Sequence, residues 1–462
     1  TCLIIMLFVG GCHRWSRTAS VVIIAVDSLG VQALACEDEF TSKSGFRHFC
    51  KEGVRFTHAY TPSSLSVPAL SSVLTGMYPM DLDVSDNGPN YLPARFVTTA
   101  ELGARRGWMT GMFSGGPPVF SKTGLGQGFL YQYEELPQDG ESLYIPSGKV
   151  VDAFLTWWDR QPRSQPVFAT LYLPDLQFVD TPTKTELGEI RPNSFQSQTQ
   201  AVDEALERLI VALQDFGAWD RSYVILVGLN GQNRSVRSTE LVGFNLFSET
   251  TQVTLMIKPP KFAVRMPVSR TVDQYVTLVD LGVTLREWVG GEEIATSRAQ
   301  LLPSYSLNQY LSAQDSVETT SDRVLLMESA WSDWHNAGNT RYAFRSGPFL
   351  YLHQSPPVFL NSVADRTEVT PLNITDADSE MRIHWQRIQH VIGSLGLPPW
   401  TGTPRSLIEK IHVGADLWRI SAVSEDVFLR LRRLIDRRPC DMHALGWSAF
   451  SALRAKDWQL LD

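Results

Sequence analysis

Apolar residues in this chain fall into short continuous runs separated by stretches of helical periodicity. Residues 21–26 read VVIIAV, continuous and rich in β-branched side chains. That is the pattern of a strand buried on both faces within a parallel sheet. The run ends at Asp27-Ser28-Leu29-Gly30, which places a carboxylate at the strand's C-terminal edge. In open α/β sheets that edge is where ligands bind. Similar runs occupy residues 167–173, residues 223–227 ending at Gly228, and residues 253–257, which Pro259-Pro260 stops. Between them Val202, Leu206, Leu209, Ile210 and Leu213 recur at helical spacing, and Gly217 suits the C-cap. Strands alternating with helices predict βαβ units and a mainly parallel sheet.

The last third has a different rhythm. Residues 341–352 read as antiparallel strands broken by Ser346-Gly347-Pro348. From Thr375 onward the pattern is helical. Met381, Trp385, Ile388, Val391, Ile392 and Leu395 share one face, and Ser424 is placed to cap a helix carrying Val427, Phe428, Leu431 and Leu434. Leu397-Pro398-Pro399 and Gly402-Thr403-Pro404 break the helices.

The N-terminus carries an apolar run from Cys2 to Gly11, too short to span a bilayer but suited to the core of a secretion signal. It ends in Val9-Gly10-Gly11-Cys12, which resembles the bacterial lipobox with Cys12 as the lipidated residue. His13 after that Cys favours the outer membrane over the inner. The chain starts at Thr1 without a basic segment, so the true start is expected upstream. Of the five cysteines, Cys2 and Cys12 fall in the signal, and Cys36, Cys50 and Cys440 remain. No CxxC supports a cysteine zinc site. Cys36 and Cys50 could pair in an oxidising compartment, with buried free thiols the expected state.

Composition narrows the picture further. Across 462 residues a 10% aromatic share excludes a disordered chain, and a net charge of -8 argues against a nucleic-acid partner. Asn373-Ile374-Thr375 matches a glycosylation acceptor that a bacterial lipoprotein would rarely use, and Trp157-Trp158 and Trp331 with Trp334 are expected to fill core or interface.

Candidate chemistry begins at Ser66-Val67-Pro68-Ala69-Leu70, which opens a small-residue segment ending at Gly76. A hydroxyl at a helix N-terminus can face an anion, although capping its own helix is the expected role for Ser66. Taken with Asp27-Ser28-Leu29-Gly30, Phe56-Thr57-His58-Ala59-Tyr60, Leu74-Thr75-Gly76-Met77-Tyr78-Pro79, Asp86-Asn87-Gly88 and Gly124-Leu125-Gly126-Gln127-Gly128-Phe129, the segment resembles the sulfatases of the alkaline phosphatase superfamily. The resemblance covers residues 20–373. It implies a metal-assisted ester hydrolase, with Ser66 at the nucleophile position and Asp27 at a metal-ligand position.

Several matched positions depart from that pattern. The family's nucleophile-supporting Arg is Leu70, and the His after its second strand is Gln177. The metal Asp after its third strand is Leu229, the adjacent His position is Asn230, and the His-rich stretch before the fourth strand contains Phe244. Asp175 and Asp180 are the nearby spare carboxylates. Of nine histidines none lies between His58 and His335, the span in which the family places its catalytic and anion-binding His. Such a site would bind a divalent ion weakly, because hard cations prefer several oxygen ligands including carboxylates.

The expected fold is an α/β alkaline-phosphatase/sulfatase-like sandwich with a mainly parallel central sheet, a small antiparallel subdomain and a helical tail. The expected division is a lipoprotein signal over 1–11, a sulfatase-like domain over 12–310, an antiparallel subdomain over 311–374 and a helical extension over 375–462. The expected function is that of an envelope lipoprotein without catalysis, serving a structural or partner-binding role. The alternatives are an active sulfuric or phosphoric ester hydrolase using Ser66, and a non-catalytic anion or glycan module. No cofactor is expected unless the site works, in which case Asp27 and Asn230 would hold Ca²⁺ or Mg²⁺. The expected partners are a membrane, through the lipid on Cys12, and an envelope protein, through the helices of 375–462. The expected place is the periplasmic side of the outer membrane.

Overall fold

The computed structural model describes residues 18–33, 36, 45–88, 91–135, 144–178, 183–184, 190–191, 194–232, 243–263, 269–292, 298, 300–311, 323–334, 339–376 and 378–401. The signal, Cys12, the helix expected after Ser424 and Cys440 lie outside them.

The strands are β1 (Ser20–Val26), β2 (Val54–Tyr60), β3 (Met109–Ser114), β4 (Tyr131–Tyr133), β5 (Val167–Leu173), β6 (Thr183–Lys184), β7 (Ile190–Arg191), β8 (Ser222–Gly228), β9 (Leu255–Lys258), β10 (Arg270–Thr277), β11 (Leu325–Ser329), β12 (Arg341–Ser346), β13 (Phe349–His353) and β14 (Val358–Asn361). Eight of them form one sheet in the order β10-β2-β9-β8-β1-β5-β3-β4. All neighbours run parallel except β9, which is antiparallel to β2 and β8. The fourth run in the sequence is therefore a strand, but it begins two residues later than its apolar pattern and runs against the sheet. Val253, which opens that run, instead forms an isolated bridge with Gly30.

The helices are α1 (Gly45–Glu52), α2 (Ser66–Thr75), α3 (Pro79–Leu82), α4 (Thr99–Arg105), α5 (Ser147–Asp159), α6 (Phe195–Asp215), α7 (Ser248–Thr251), α8 (Leu278–Trp288), α9 (Asn308–Leu311), α10 (Trp331–Trp334) and α11 (Ser379–Leu395). Alternation along β1 feeds two cores. Val21, Ile23 and Ala25 pack with residues of α2, α4 and α8, while Val22, Ile24 and Val26 pack with α1, α5 and α6. Burial on both faces is why β1 carries no polar residue after Ser20. Helices α2 and α8 touch backbone to backbone: a Cβ on Gly282 would lie 2.4 Å from the Ser72 carbonyl oxygen. Helix α2 stops at Gly76, whose φ of 74° is the left-handed C-cap that glycine adopts without a Cβ penalty.

Cys36 and Cys50 form a disulfide with a Cα–Cα distance of 5.7 Å. The free thiols expected from sequence are thus corrected: the fold places Cys36 within bridging distance of Cys50 on α1, which linear spacing does not reveal.

Strands β11, β12, β13 and β14 form a separate antiparallel sheet. The apolar face of α11 covers it, with Met381, Ile388 and Val391 packed against Phe344, Phe349, Tyr351 and Phe359. Asp378 caps this helix by accepting the Met381 N–H at 2.8 Å. The described part of the tail therefore packs back on the body. Its predicted stripe is the buried one, and residues 402–462 lie outside the described residues.

Candidate functional site

The sheet register assembles the site. Val26 aligns with Leu173 of β5 and with Gly228 of β8, so the next residue of each strand emerges at one edge. Asp27, Leu229 and Asn230 come together there for that reason. Gly228 lets the strand ends close up, since a Cβ on it would lie 2.0 Å from the Leu29 carbonyl oxygen.

At this edge Asp27 and Ser66 bond directly. Ser66 Oγ donates to Asp27 Oδ2 at 2.6 Å, and the two residues are 1% exposed. The Tyr172 hydroxyl donates to the same oxygen at 2.5 Å, and Ser28 Oγ donates to Asp27 Oδ1 at 3.3 Å. Asn230 completes the cluster. Its Nδ2 donates to Ser66 Oγ at 3.3 Å, its Oδ1 accepts the Ser28 N–H at 2.9 Å, and that oxygen lies 3.2 Å from Ser28 Oγ, a second acceptor for the one hydroxyl proton. Those bonds hold Ser28 at a φ of 57°, a left-handed conformation costly for a residue with a Cβ. Asn230 is therefore more than a tight-turn residue.

Burial pushes the Asp27 carboxyl above its usual range, against the opposing pull of bonds from Ser66, Tyr172, Asn230 and Ser28. The bonds come from neutral donors, so they cannot offset the loss of hydration of a buried anion as a cation would.

Ser66 does not cap α2, contrary to the expectation. The N-cap is Leu65, which makes no side-chain cap bond, and Asn87 Oδ1 accepts the Val67 N–H at 3.0 Å. A cap delivered from elsewhere in the chain leaves the Ser66 hydroxyl available to Asp27.

The departed positions are filled by other chemistry. Leu70 and Leu229 are fully buried in one apolar cluster with Val67. Gln177 stands beside Tyr172, whose hydroxyl lies 3.3 Å from its Oε1. Asp175 is no substitute ligand: it accepts the Ser147 N–H at 3.1 Å and the Ser147 hydroxyl at the start of α5. Burial raises its pKa to about 6. Asp180 lies outside the described residues. Phe244 joins Leu65, Trp331 and Trp400 in an aromatic cluster. The Arg341 guanidinium lies 3.8 Å from the centroid of the Phe244 ring and 3.6 Å from that of Trp400. Leu65 ties this cluster to the residue beside Ser66.

The described histidines serve elsewhere. His58 stacks on Tyr275 and pairs with Asp273 at 3.1 Å, His353 meets the Leu397 carbonyl, and His384 meets Ser346. Among the described residues no three His, Cys, Asp or Glu side chains converge to hold a metal. The only carboxylate among the described residues of this cluster is Asp27, and the oxygens of Asp27 and Asn230 already accept hydrogen bonds. Hard divalent cations favour several oxygen ligands, carboxylates among them, with water completing the shell. Among the described residues, one carboxylate whose oxygens already accept hydrogen bonds is a poor donor set for Ca²⁺ or Mg²⁺.

Sequence reading missed Tyr172 and Ser28 as site partners. Tyr172 sits inside an apolar run, where its hydroxyl is the one available signal. Ser28 follows Asp27 directly, and nothing in its identity announces a left-handed backbone.

A mainly parallel sheet with helices on both faces, polar residues at its C-terminal edge and a small antiparallel sheet define a member of the alkaline phosphatase-like superfamily. The chain belongs to the sulfatase family, whose profile matches residues 19–291. Over 105 residues it is 37% identical to human arylsulfatase A, a match spanning 21% of this chain and 20% of that relative. The solved structure of a 2-O GAG sulfatase superposes with a TM-score of 0.65 at 15% identity, covering 84% of this chain and 96% of that one. The phosphonate monoester hydrolase of Agrobacterium radiobacter superposes with a TM-score of 0.60 at 17% identity, covering 82% and 96%. Identities this low establish a shared fold.

Proposed function

We propose that this chain is a catalytically inactive member of the sulfatase family, held in a bacterial cell envelope by a lipid on Cys12 and retained for its surface. The observation that carries the reading is the direct bond between Ser66 and Asp27, both buried. An ester hydrolase of this class needs its nucleophile open to substrate and needs positive charge around the attacked oxygens. Here the hydroxyl faces a buried carboxyl, and leucines hold positions at which the resemblance expects Arg and Asp. The helices of 375–462 are the region proposed to meet an envelope partner.

The test is metal analysis of the purified mature protein together with assays on aryl sulfate and aryl phosphate esters. The expected result is no stoichiometric metal and no turnover above a Ser66→Ala control. Stoichiometric Ca²⁺ or Mg²⁺ with turnover abolished by Ser66→Ala would overturn the proposal and establish the hydrolase instead. Mass spectrometry of the mature N-terminus tests the anchor, which requires an acylated Cys12.

A further inference from the structure

The chain enters the fold at the edge of the central sheet opposite Asp27. Thr18, the first described residue, lines a cleft of about 690 Å³ there, together with Ser20, Val167 and Ser222 at the N-terminal ends of β1, β5 and β8. Thr18 lies six residues after Cys12. A fully extended span of that length reaches at most about 22 Å. A lipid on Cys12 therefore keeps this edge close to a bilayer surface. Strand β1 leads from the same edge for seven residues, about 23 Å, before the chain delivers Asp27 to the far one.

The residue types at this edge suit a lipid surface. Phe262 lines the cleft and is 40% exposed, a large apolar ring left in contact with solvent. Arg221 lines it too. Its Nε donates to the Gly217 carbonyl at 2.8 Å, and it pairs with no carboxylate among the described residues. Arg163 is paired with Asp159 at 2.9 Å and adds no net charge. No described lining residue is acidic. The span between Cys12 and Thr18 contributes Arg14, Trp15 and Arg17. Aromatic side chains favour the boundary between bilayer and water, and basic ones are drawn to anionic headgroups. Screening at physiological salt limits such attraction to about 8 Å, so the residues of this edge govern the contact rather than the net charge of -8.

We infer that this edge is the face the anchored protein lays on an anionic phospholipid surface, with Phe262 at the headgroup boundary and Arg221 on lipid phosphate. The inference rests on the lipid anchor proposed at Cys12. One tether fixes a single point of the body, and this face supplies the second contact that sets its orientation. The Asp27 and Ser66 edge is thereby turned away from the bilayer.

The test is quenching of a thiol-linked fluorophore by spin-labelled headgroups, in vesicles of phosphatidylcholine and phosphatidylglycerol that carry the full acylated chain. The label sits on Gln165→Cys, in the cleft lining, or on Gln32→Cys, beyond β1 at the far edge, each in a Cys440→Ser background. Gln165 and Gln32 are both exposed. Mass spectrometry of the same sample establishes the acyl group. The cleft label is expected to be quenched at least threefold more than the far one. Adding Arg221→Glu/Phe262→Ser should lower quenching of the cleft label at least twofold in a chain that melts as the parent does. Equal quenching of the two labels on an acylated chain, or undiminished quenching in the double variant, overturns the inference and leaves the anchor standing. A parent chain without an acyl group overturns the anchor and the inference with it.

Discussion

Ser66 Oγ donates to Asp27 Oδ2 across 2.6 Å in a place where neither residue meets solvent. The residues that the resemblance places at the nucleophile and metal-ligand positions thus satisfy one another. Because burial raises the Asp27 pKa, the native state holds its proton more tightly than the unfolded chain. Stability from this residue is therefore present at low pH and falls as pH rises through the unfolded value of 3.8 toward the higher folded value. Asp27→Asn should flatten that decline, matching or exceeding the parent in melting temperature at neutral and alkaline pH. A loss of stability that grows as pH rises would show instead that an ionised Asp27 is needed.

Glu328 makes the same argument where the two sheets meet. It is 2% exposed, its Oε2 has no hydrogen-bond partner, and burial raises its pKa to about 8, with Asp81 adding to the rise and Arg298 opposing it. Its penalty grows as pH rises from its unfolded value of 4.5 and levels off above about 8. Glu328→Gln should be near neutral at pH 5 and stabilising by a few kcal/mol at pH 9, since each tenfold difference in proton affinity between folded and unfolded chain is worth about 1.4 kcal/mol. Melting curves across that range decide it, and an advantage that does not grow with pH would refute the reading.

The Cys36–Cys50 bridge closes a span of 14 residues. Loop-closure entropy for a span of that size is worth about 3 kcal/mol. Replacing both cysteines with serine should lower stability by that order in chemical unfolding. Alkylation without reductant should leave Cys36 and Cys50 unlabelled in the native chain, and labelling at both would contradict the bridge.

Gly282 sits where α8 crosses α2, with the Ser72 carbonyl and the Gly76 backbone 2.4–2.6 Å from any added Cβ. Backbone cannot rotate aside as a side chain can, so Gly282→Ala must part the helices. A loss of about 1–3 kcal/mol is expected from such overpacking. Urea unfolding measures it, and an unchanged midpoint would mean the helices have room.

Much of the fold was legible in the residues alone. Residues 21–26, 167–173 and 223–227 had to be strands buried on both faces, because nothing strongly polar interrupts them at either period. The stripe on α11 had to be buried, because its apolar residues share one face. The order of motifs from Asp27 to Gly128 carried the family, and no His lies between His58 and His335, the span in which the resemblance places that family's catalytic His.

Tertiary structure alone decided the rest. The direction of β9 depends on its neighbours β2 and β8, and local pattern holds no information about strand direction. The disulfide depended on where the chain places Cys36 beside α1. The side chain of Ser66 could have capped its helix or faced Asp27. Asn87 settled that by supplying the cap from a distant loop, and the register of β1 against β5 and β8 brought Asp27, Tyr172 and Asn230 to the freed hydroxyl. Sequence named Asp27, Ser66 and Asn230 but not Tyr172 or Ser28, and which residues satisfy one another is a matter of three-dimensional register.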